Sequence, residues 1–303
     1  MAETESIPFV LGMFTVSGSP AFPALVLDDE AAISIDAIAP LAASLGLALT
    51  GAESVFGLLQ NWEHNFLALS ATAMALNDAT AGKYYRSAFT AVEFLRPMAP
   101  LATPRQVLCE AFGAAGERSE FMPKIASTVV GPKAKIHLPR RCRQVIAQPR
   151  VGVVIGHPAY ELDAGSAGGA IAGYVTVTDV VALDAPSRLG AHSSPSFLPT
   201  GPYFVPHAFA GNADALEMRL VVNGELAIEA SLATRDETIA ETIARLTQDV
   251  QFFPGDIICC GVEHGDAVAG RAGLGDGDII ETAVRGVGQQ TLNAMRTSDD
   301  LAH

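Results

Sequence analysis

The chain has 303 residues, 49% of them hydrophobic and 17% charged, enough for a substantial core in one large domain or one plus a small one. A formal net charge of −14 excludes a nucleic-acid backbone as partner, because phosphate binding needs basic patches. No apolar run approaches the roughly 18–20 residues of a membrane span, and the acidic opening Met-Ala-Glu-Thr-Glu-Ser does not resemble a secretory signal, so no membrane partner is expected.

Phe9–Val16 and Ala24–Leu27, joined across Ser-Gly-Ser-Pro, read as strands, and Ile33–Ile35 follows the turn-like Asp28-Asp29-Glu30. Ile38–Leu47 and Val55–Leu76 are rich in alanine and leucine and read as helices. In the second, Leu58, Leu59, Trp62, Phe66, Leu69 and Ala73 form one stripe, with Glu63 and His64 off it on the solvated side. Arg96-Pro97-Met98-Ala99-Pro100 reads as a linker. It divides a small N-terminal domain, residues 1–100, from a larger one, residues 101–303.

In the larger part, Arg140-Arg141-Cys142-Arg143 is the densest basic run and reads as a solvated loop. Val151–Ile155 and Tyr174–Val181 are rich in β-branched residues and read as buried strands. Asp179 lies inside the second. Burying even a neutral polar group unsatisfied costs on the order of 2–7 kcal/mol, so Asp179 needs a cation, a metal or hydrogen bonds. Asn223-Gly224 predicts a type I′ hairpin, because both positions take positive φ. Thr234–Val250 reads as an amphipathic helix opened by Arg235, Asp236 and Glu237, with Ile239, Ile243, Leu246 and Val250 on its buried side. The four cysteines fit a reducing cytoplasm rather than a disulfide framework, and none has zinc-ligand spacing. Cys260 and His264 have the residue types of a nucleophile and its base, but no positioned third group is apparent, and Cys260 reads as a small buried cysteine.

Val154-Ile155-Gly156, Ala172-Gly173-Tyr174, Asp179 and Asp184 fall on a family pattern: E-x-E-L-A-x-V-I-G, then A-G-Y-x-x-x-N-D-x-x-x-R-D. Lys124, Ser127 and Gly131-Pro132 resemble its K-P-P-S-x-L-x-G-P. Pro199-Thr200-Gly201-Pro202-Tyr203 resembles P-x-G-P, and Pro254-Gly255-Asp256 resembles the turn in P-G-D-x-I-x-T-G-T-P. The chain is thereby identified as resembling a divergent member of the fumarylacetoacetate hydrolase family. The resemblance implies an α+β fold: a mainly antiparallel, mixed β core of the roll type with outer helices, preceded by a small N-terminal α/β domain. It implies C–C hydrolysis, hydration, decarboxylation or tautomerisation of 2-oxo and β-diketo acids, with a Mg or Mn ion as Lewis acid.

Counted back without gaps from Gly156, the family's two metal-binding glutamates fall on Gln148 and Arg150, with Asp179 the third position. Two of three ligands are absent, so no metal cofactor is expected. Arg150 is expected to pair with Asp179 in the ion's place, as the catalytic pair. Lys124, Tyr203 and Gly261 are the positions the resemblance leaves for substrate contacts. The family's lid histidine has no counterpart between His64 and His137; Glu110, Glu117 and Glu120 are the possible substitutes. The family lysine before P-x-G-P is missing, with His192 either a stand-in or an exposed loop histidine. A metal site relocated to Glu161, Asp163, Glu263 or Asp266 is a further alternative. The implied partners are a small anionic substrate and a second subunit, in a homodimer or in a heteromer with a paralogous family subunit. The competing reading is a non-catalytic member that serves as a structural partner or binds small acids.

Overall fold

Two long strands, Val145–Ile155 and Ile171–Ala182, form an antiparallel hairpin at the centre of the computed structural model, which describes residues 8–78, 81–112, 119–262 and 273–296. Every residue of the second strand is buried, as expected of a β-branched run covered on both faces. On its far side the sheet continues through Leu198–Pro206, Val10–Thr15, Phe22–Leu27, Ala31–Ser34 and Thr90–Ala91. On the near side it continues through Ile257–Cys260, Val107–Ala111 and Glu120–Lys124. With Arg96–Met98 and Val129–Val130 attached, this sheet has 12 strands. A second sheet has 5: Glu225–Ser231, Glu217–Val222, Ile279–Val284, Gly288–Arg296 and Lys135–Leu138. Among the described residues, three strand pairs are parallel and the rest antiparallel. The architecture is α+β with a mainly antiparallel core, as the resemblance implies.

The sheet and the core both run across residue 100. Val10–Thr15 pairs with Leu198–Pro206, and Phe9, Leu25, Ile33, Leu58 and Trp62 share one apolar cluster with Val154, Val175, Phe204 and Ile257. Trp62 meets Phe204 edge-on, ring centroids 5.1 Å apart. The segment read as a linker is a strand: Arg96–Met98 pairs with Val10–Thr15, and its proline is tolerated because the strand has a neighbour on one side alone.

Two helices differ from the sequence reading. Val55–Leu76 is two helices, Val55–Leu59 and Trp62–Asn77. Asn65 donates to the Leu58 and Thr50 carbonyls and accepts from Thr50 N, so a side chain takes up the backbone groups exposed at the break. Thr234–Val250 shortens to Ile239–Thr247, because Thr238 and Glu241 form a capping box that starts the helix after Glu237. Arg235 is left outside it. The predicted hairpin is present, with φ of 53° at Asn223 and 80° at Gly224. The two sheets are joined through buried Gln290, which donates to Thr176 O, Pro199 O and Gly201 O and accepts from Thr178 Oγ1. No helix among the described residues is long and apolar enough to cross a membrane.

Candidate active site

Register assembles the first cluster. Gln148 stands opposite Asp179 and Arg150 opposite Val177, so Gln148, Arg150 and Asp179 share one face of the central hairpin. Lys124 enters from the edge strand Glu120–Lys124. Its ammonium donates to Val180 O at 2.8 Å and Phe197 O at 2.9 Å and lies 2.5 Å from Asp179 Oδ1. Two of its N–H groups are thus given to backbone carbonyls, and the ammonium is ion-paired with Asp179. It is a nearer cation to the buried carboxylate than Arg150. Arg150 Nε lies farther off, 3.6 Å from Asp179 Oδ2. Arg150 Nη2 donates to Gln148 Oε1 at 2.6 Å and to the Glu110 carbonyl at 2.9 Å, while Nη1 is buried without a hydrogen-bond partner. The Phe112 ring covers the guanidinium, 5.3 Å from Cζ to ring centroid. Lys124, Arg150 and Asp179 are 4%, 1% and 2% exposed, so the cluster is a buried one carrying more positive than negative charge.

Mg²⁺ or Mn²⁺ would ask these residues for about six oxygen ligands. They offer one carboxylate and one amide oxygen, and Arg150 itself fills the space between Gln148 and Asp179. This donor set does not fit a divalent cation and suits an anion. The relocated alternative is not assembled either: Asp163 caps a short helix through Ser166, and among the described residues no three His, Cys, Asp or Glu side chains come together as a metal site. Glu263 and Asp266 lie outside the described residues.

Gly261 makes room for the arginine. A Cβ at this position would lie 1.9 Å from Arg150 Nη1. Gly261→Ala is expected to displace the guanidinium and destabilise the fold by roughly 1–3 kcal/mol, the usual range for overpacking. Urea unfolding would measure it; an unchanged midpoint would mean that the guanidinium is not held against Gly261.

A second charged cluster lies across the sheet, centred on Glu110, which the sequence offered as a possible substitute for the lid histidine but without its partner. Glu110 is 2% exposed. Its Oε1 accepts from Ser119 Oγ at 2.7 Å and Arg235 Nη2 at 2.9 Å, and its Oε2 accepts from Gly261 N at 3.0 Å. Because the helix starts late, Arg235 is free to extend inward. The signal was the one that marked Asp179: a lone acid in the apolar strand Val107–Ala111 requires a cation. Beside this pair is a cavity of about 590 Å³, lined by Glu110, Phe112, Ser119, Arg235, Arg245 and Val262 among others.

The remaining candidates fall elsewhere. Tyr203 does not join the cluster; it lines a different cavity with Pro97 and Pro202, its ring 6.5 Å from Phe14. Cys260 is fully buried and burial pushes its thiol up to about 12, so it remains a thiol rather than a nucleophilic thiolate at neutral pH. His264 and Glu117 lie outside the described residues. Glu120 is exposed and pairs with Arg188 at 3.5 Å. Asp184 is an exposed turn carboxylate, held below the usual range first by the Arg143 N–H.

A family model described as Fumarylacetoacetate (FAA) hydrolase C-terminal matches residues 109–293. A Mycobacterium tuberculosis protein is 28% identical over 174 residues, 56% of this chain and 64% of that protein, so the chain spans under two thirds of that relative's length. A human mitochondrial oxaloacetate tautomerase is 26% identical over 209 residues, 63% of this chain and 67% of that enzyme. Maleylpyruvate hydrolase from Sphingobium sp. SYK-6 superposes with a TM-score of 0.75 at 20% identity, covering 95% of this chain and 100% of that one, which shows the fold. The same hydrolase has been solved with manganese(II) and pyruvate, where the TM-score is 0.73 at 20% identity, with 95% and 100% covered.

Proposed function

The chain belongs to the fumarylacetoacetate hydrolase family, and from that premise we propose that it is an enzyme of a small anionic 2-oxo or β-keto acid whose electron sink is Arg150 rather than a metal ion. The observation that carries this reading is the Arg150 guanidinium itself. It stands between Gln148 and Asp179 with Nη1 unpartnered, in a cluster with surplus positive charge. When a 2-oxo acid loses a proton or CO₂ next to its carbonyl, negative charge develops on the carbonyl oxygen. A buried cation stabilises that charge more than one in water, and a guanidinium fork can also hold a carboxylate. Asp179 and Gln148 orient the guanidinium, and Lys124 neutralises Asp179. Hydrolysis needs an activated water in addition to an electron sink. Tautomerisation or decarboxylation suits the cluster better. Substrate access requires the Phe112 ring to swing off the guanidinium. The names of the human relative, an oxaloacetate tautomerase, and of the structural neighbour, a maleylpyruvate hydrolase, fit this substrate class.

The test is turnover of oxaloacetate, acylpyruvates and fumarylacetoacetate-like diketones, with and without chelator. Turnover is expected to be indifferent to chelator and to fall about 10²-fold in Arg150→Lys, the usual loss when one oxyanion-stabilising donor is removed. A chelator-sensitive rate, or an Arg150→Lys variant as active as the parent, would overturn the proposal. A non-catalytic reading draws support from one observation, the complete burial of the Lys124 ammonium. No turnover on any of these acids, together with co-purification of a paralogous subunit, would favour it.

A further inference from the structure

We infer that His192 is the residue that takes and returns the substrate proton at this site, an assignment that rests on the reading of Arg150 as electron sink. His192 closes the short helix Arg188–His192, which packs against the two strands that carry Lys124 and Asp179. The next residue fixes that position: Ser193 Oγ accepts from the backbone N–H of Ile125, directly after Lys124. The ring is half-buried, and its Nδ1 is both buried and without a hydrogen-bond partner. A buried ring nitrogen left unpaired is unfavourable, and such atoms call for an explanation, a catalytic role among them. His64 and His207 differ, each with a ring nitrogen engaged, on Ala48 O at 2.6 Å and on the Tyr174 hydroxyl at 2.8 Å.

The electrostatic setting agrees. Burial is the main influence on His192 and lowers its pKa from the ordinary 6.5. Asp179 on the central strand opposes this, while Lys124 on the edge strand and Arg188 on its own helix reinforce it. Glu120, also on the edge strand, is engaged by Arg188. His192 is therefore neutral, a base, at neutral pH. The step balances without a further reactant. The C3–H bond of the 2-oxo acid breaks, the proton moves to Nδ1, and the electron pair passes into the C2 carbonyl as an enolate stabilised by Arg150. The imidazolium then returns its proton to the enolate oxygen, giving the enol, or to C3. This base comes from the helix over Lys124 and Asp179, not from the segment after Phe112, where the sequence has no histidine.

Deuterium exchange at C3 of 2-oxobutyrate and oxaloacetate in D₂O, followed by proton NMR, tests the assignment. The parent rate is expected to rise with pH through a midpoint below about 6.5, the unperturbed imidazole value. His192→Gln and His192→Asn are expected to lose about 10²–10⁴ of kcat, the usual share of a general base, and with it the rising limb. KM should change by less than about threefold, since a base adds little to ground-state binding. Melting temperatures within a few degrees of the parent identify which variant is properly folded. Exchange that is lost in Arg150→Lys but retained, with its rising limb, in either folded His192 variant overturns this assignment alone. A parent that exchanges neither acid overturns both the assignment and the reading beneath it.

Discussion

Asp179→Ala is expected to destabilise the protein by roughly 3–5 kcal/mol, because it leaves buried cations without their counter-charge. Asp179 lies 2.5 Å from the Lys124 ammonium and 3.6 Å from Arg150 Nε. Lys124 cannot follow its charge into water, since two of its N–H groups are bound to the Val180 and Phe197 carbonyls inside the fold. Arg150 is held by Gln148 and by the Glu110 carbonyl. Total stabilities of about 5–15 kcal/mol are typical, so the loss is a large fraction of the whole. Guanidinium or urea unfolding measures it, and a change under about 1 kcal/mol would mean that the cluster does not exist as described. A control separates charge from packing. Removing all three charges with apolar residues of similar volume should cost much less than removing Asp179 alone, because a buried ionic group can often be replaced by well-packed hydrophobes.

Glu110→Ala is expected to cost about 3 kcal/mol, the low end of the range for breaking a buried pair. The change strands the Arg235 guanidinium, 7% exposed in its side chain, and leaves the Gly261 N–H and the Ser119 hydroxyl without their acceptor. The low end applies because Arg235 borders the 590 Å³ cavity and can turn toward water, whereas Lys124 cannot. Combining Glu110→Ala with Arg235→Met should recover part of the loss. Denaturant unfolding of the single and double variants gives the coupling energy between the two residues, and strictly additive effects would show that they do not act as a pair.

The Glu110 cluster also shows where sequence reading stopped. A lone acid in an apolar strand was legible at both Asp179 and Glu110, since burying a carboxylate demands a partner whatever the fold. The partner was not legible. For Asp179 the gap-free count pointed to Arg150, two residues along the same face from Gln148, and the structure does bring them together. The nearer cation, Lys124, comes from a strand distant in sequence that reaches the site through its pairing with Val107–Ala111. For Glu110 the partner is Arg235, read as part of a helix it does not enter. Tyr203 shows the converse, because keeping the Pro199–Tyr203 segment did not place the tyrosine ring at the cluster.

What the sequence determined by itself is what depends on near neighbours: the β-branched central strands, the Asn223-Gly224 turn, the stripe of Trp62, Leu69 and Ala73, and the amide and guanidinium at 148 and 150. Backbone conformation, side-chain alternation and ligand chemistry are properties of a few consecutive residues, so they can be read from the chain. Only the tertiary structure decided that residues 96–98 pair as a strand, that the helix breaks before Trp62, and that one sheet runs through residue 100. It alone decided that Lys124 gives two donors to backbone carbonyls while Arg150 keeps Nη1 without a hydrogen-bond partner. Those outcomes follow from which distant strands meet, and in which register. A buried charge is satisfied by whichever opposite charge the register brings within reach.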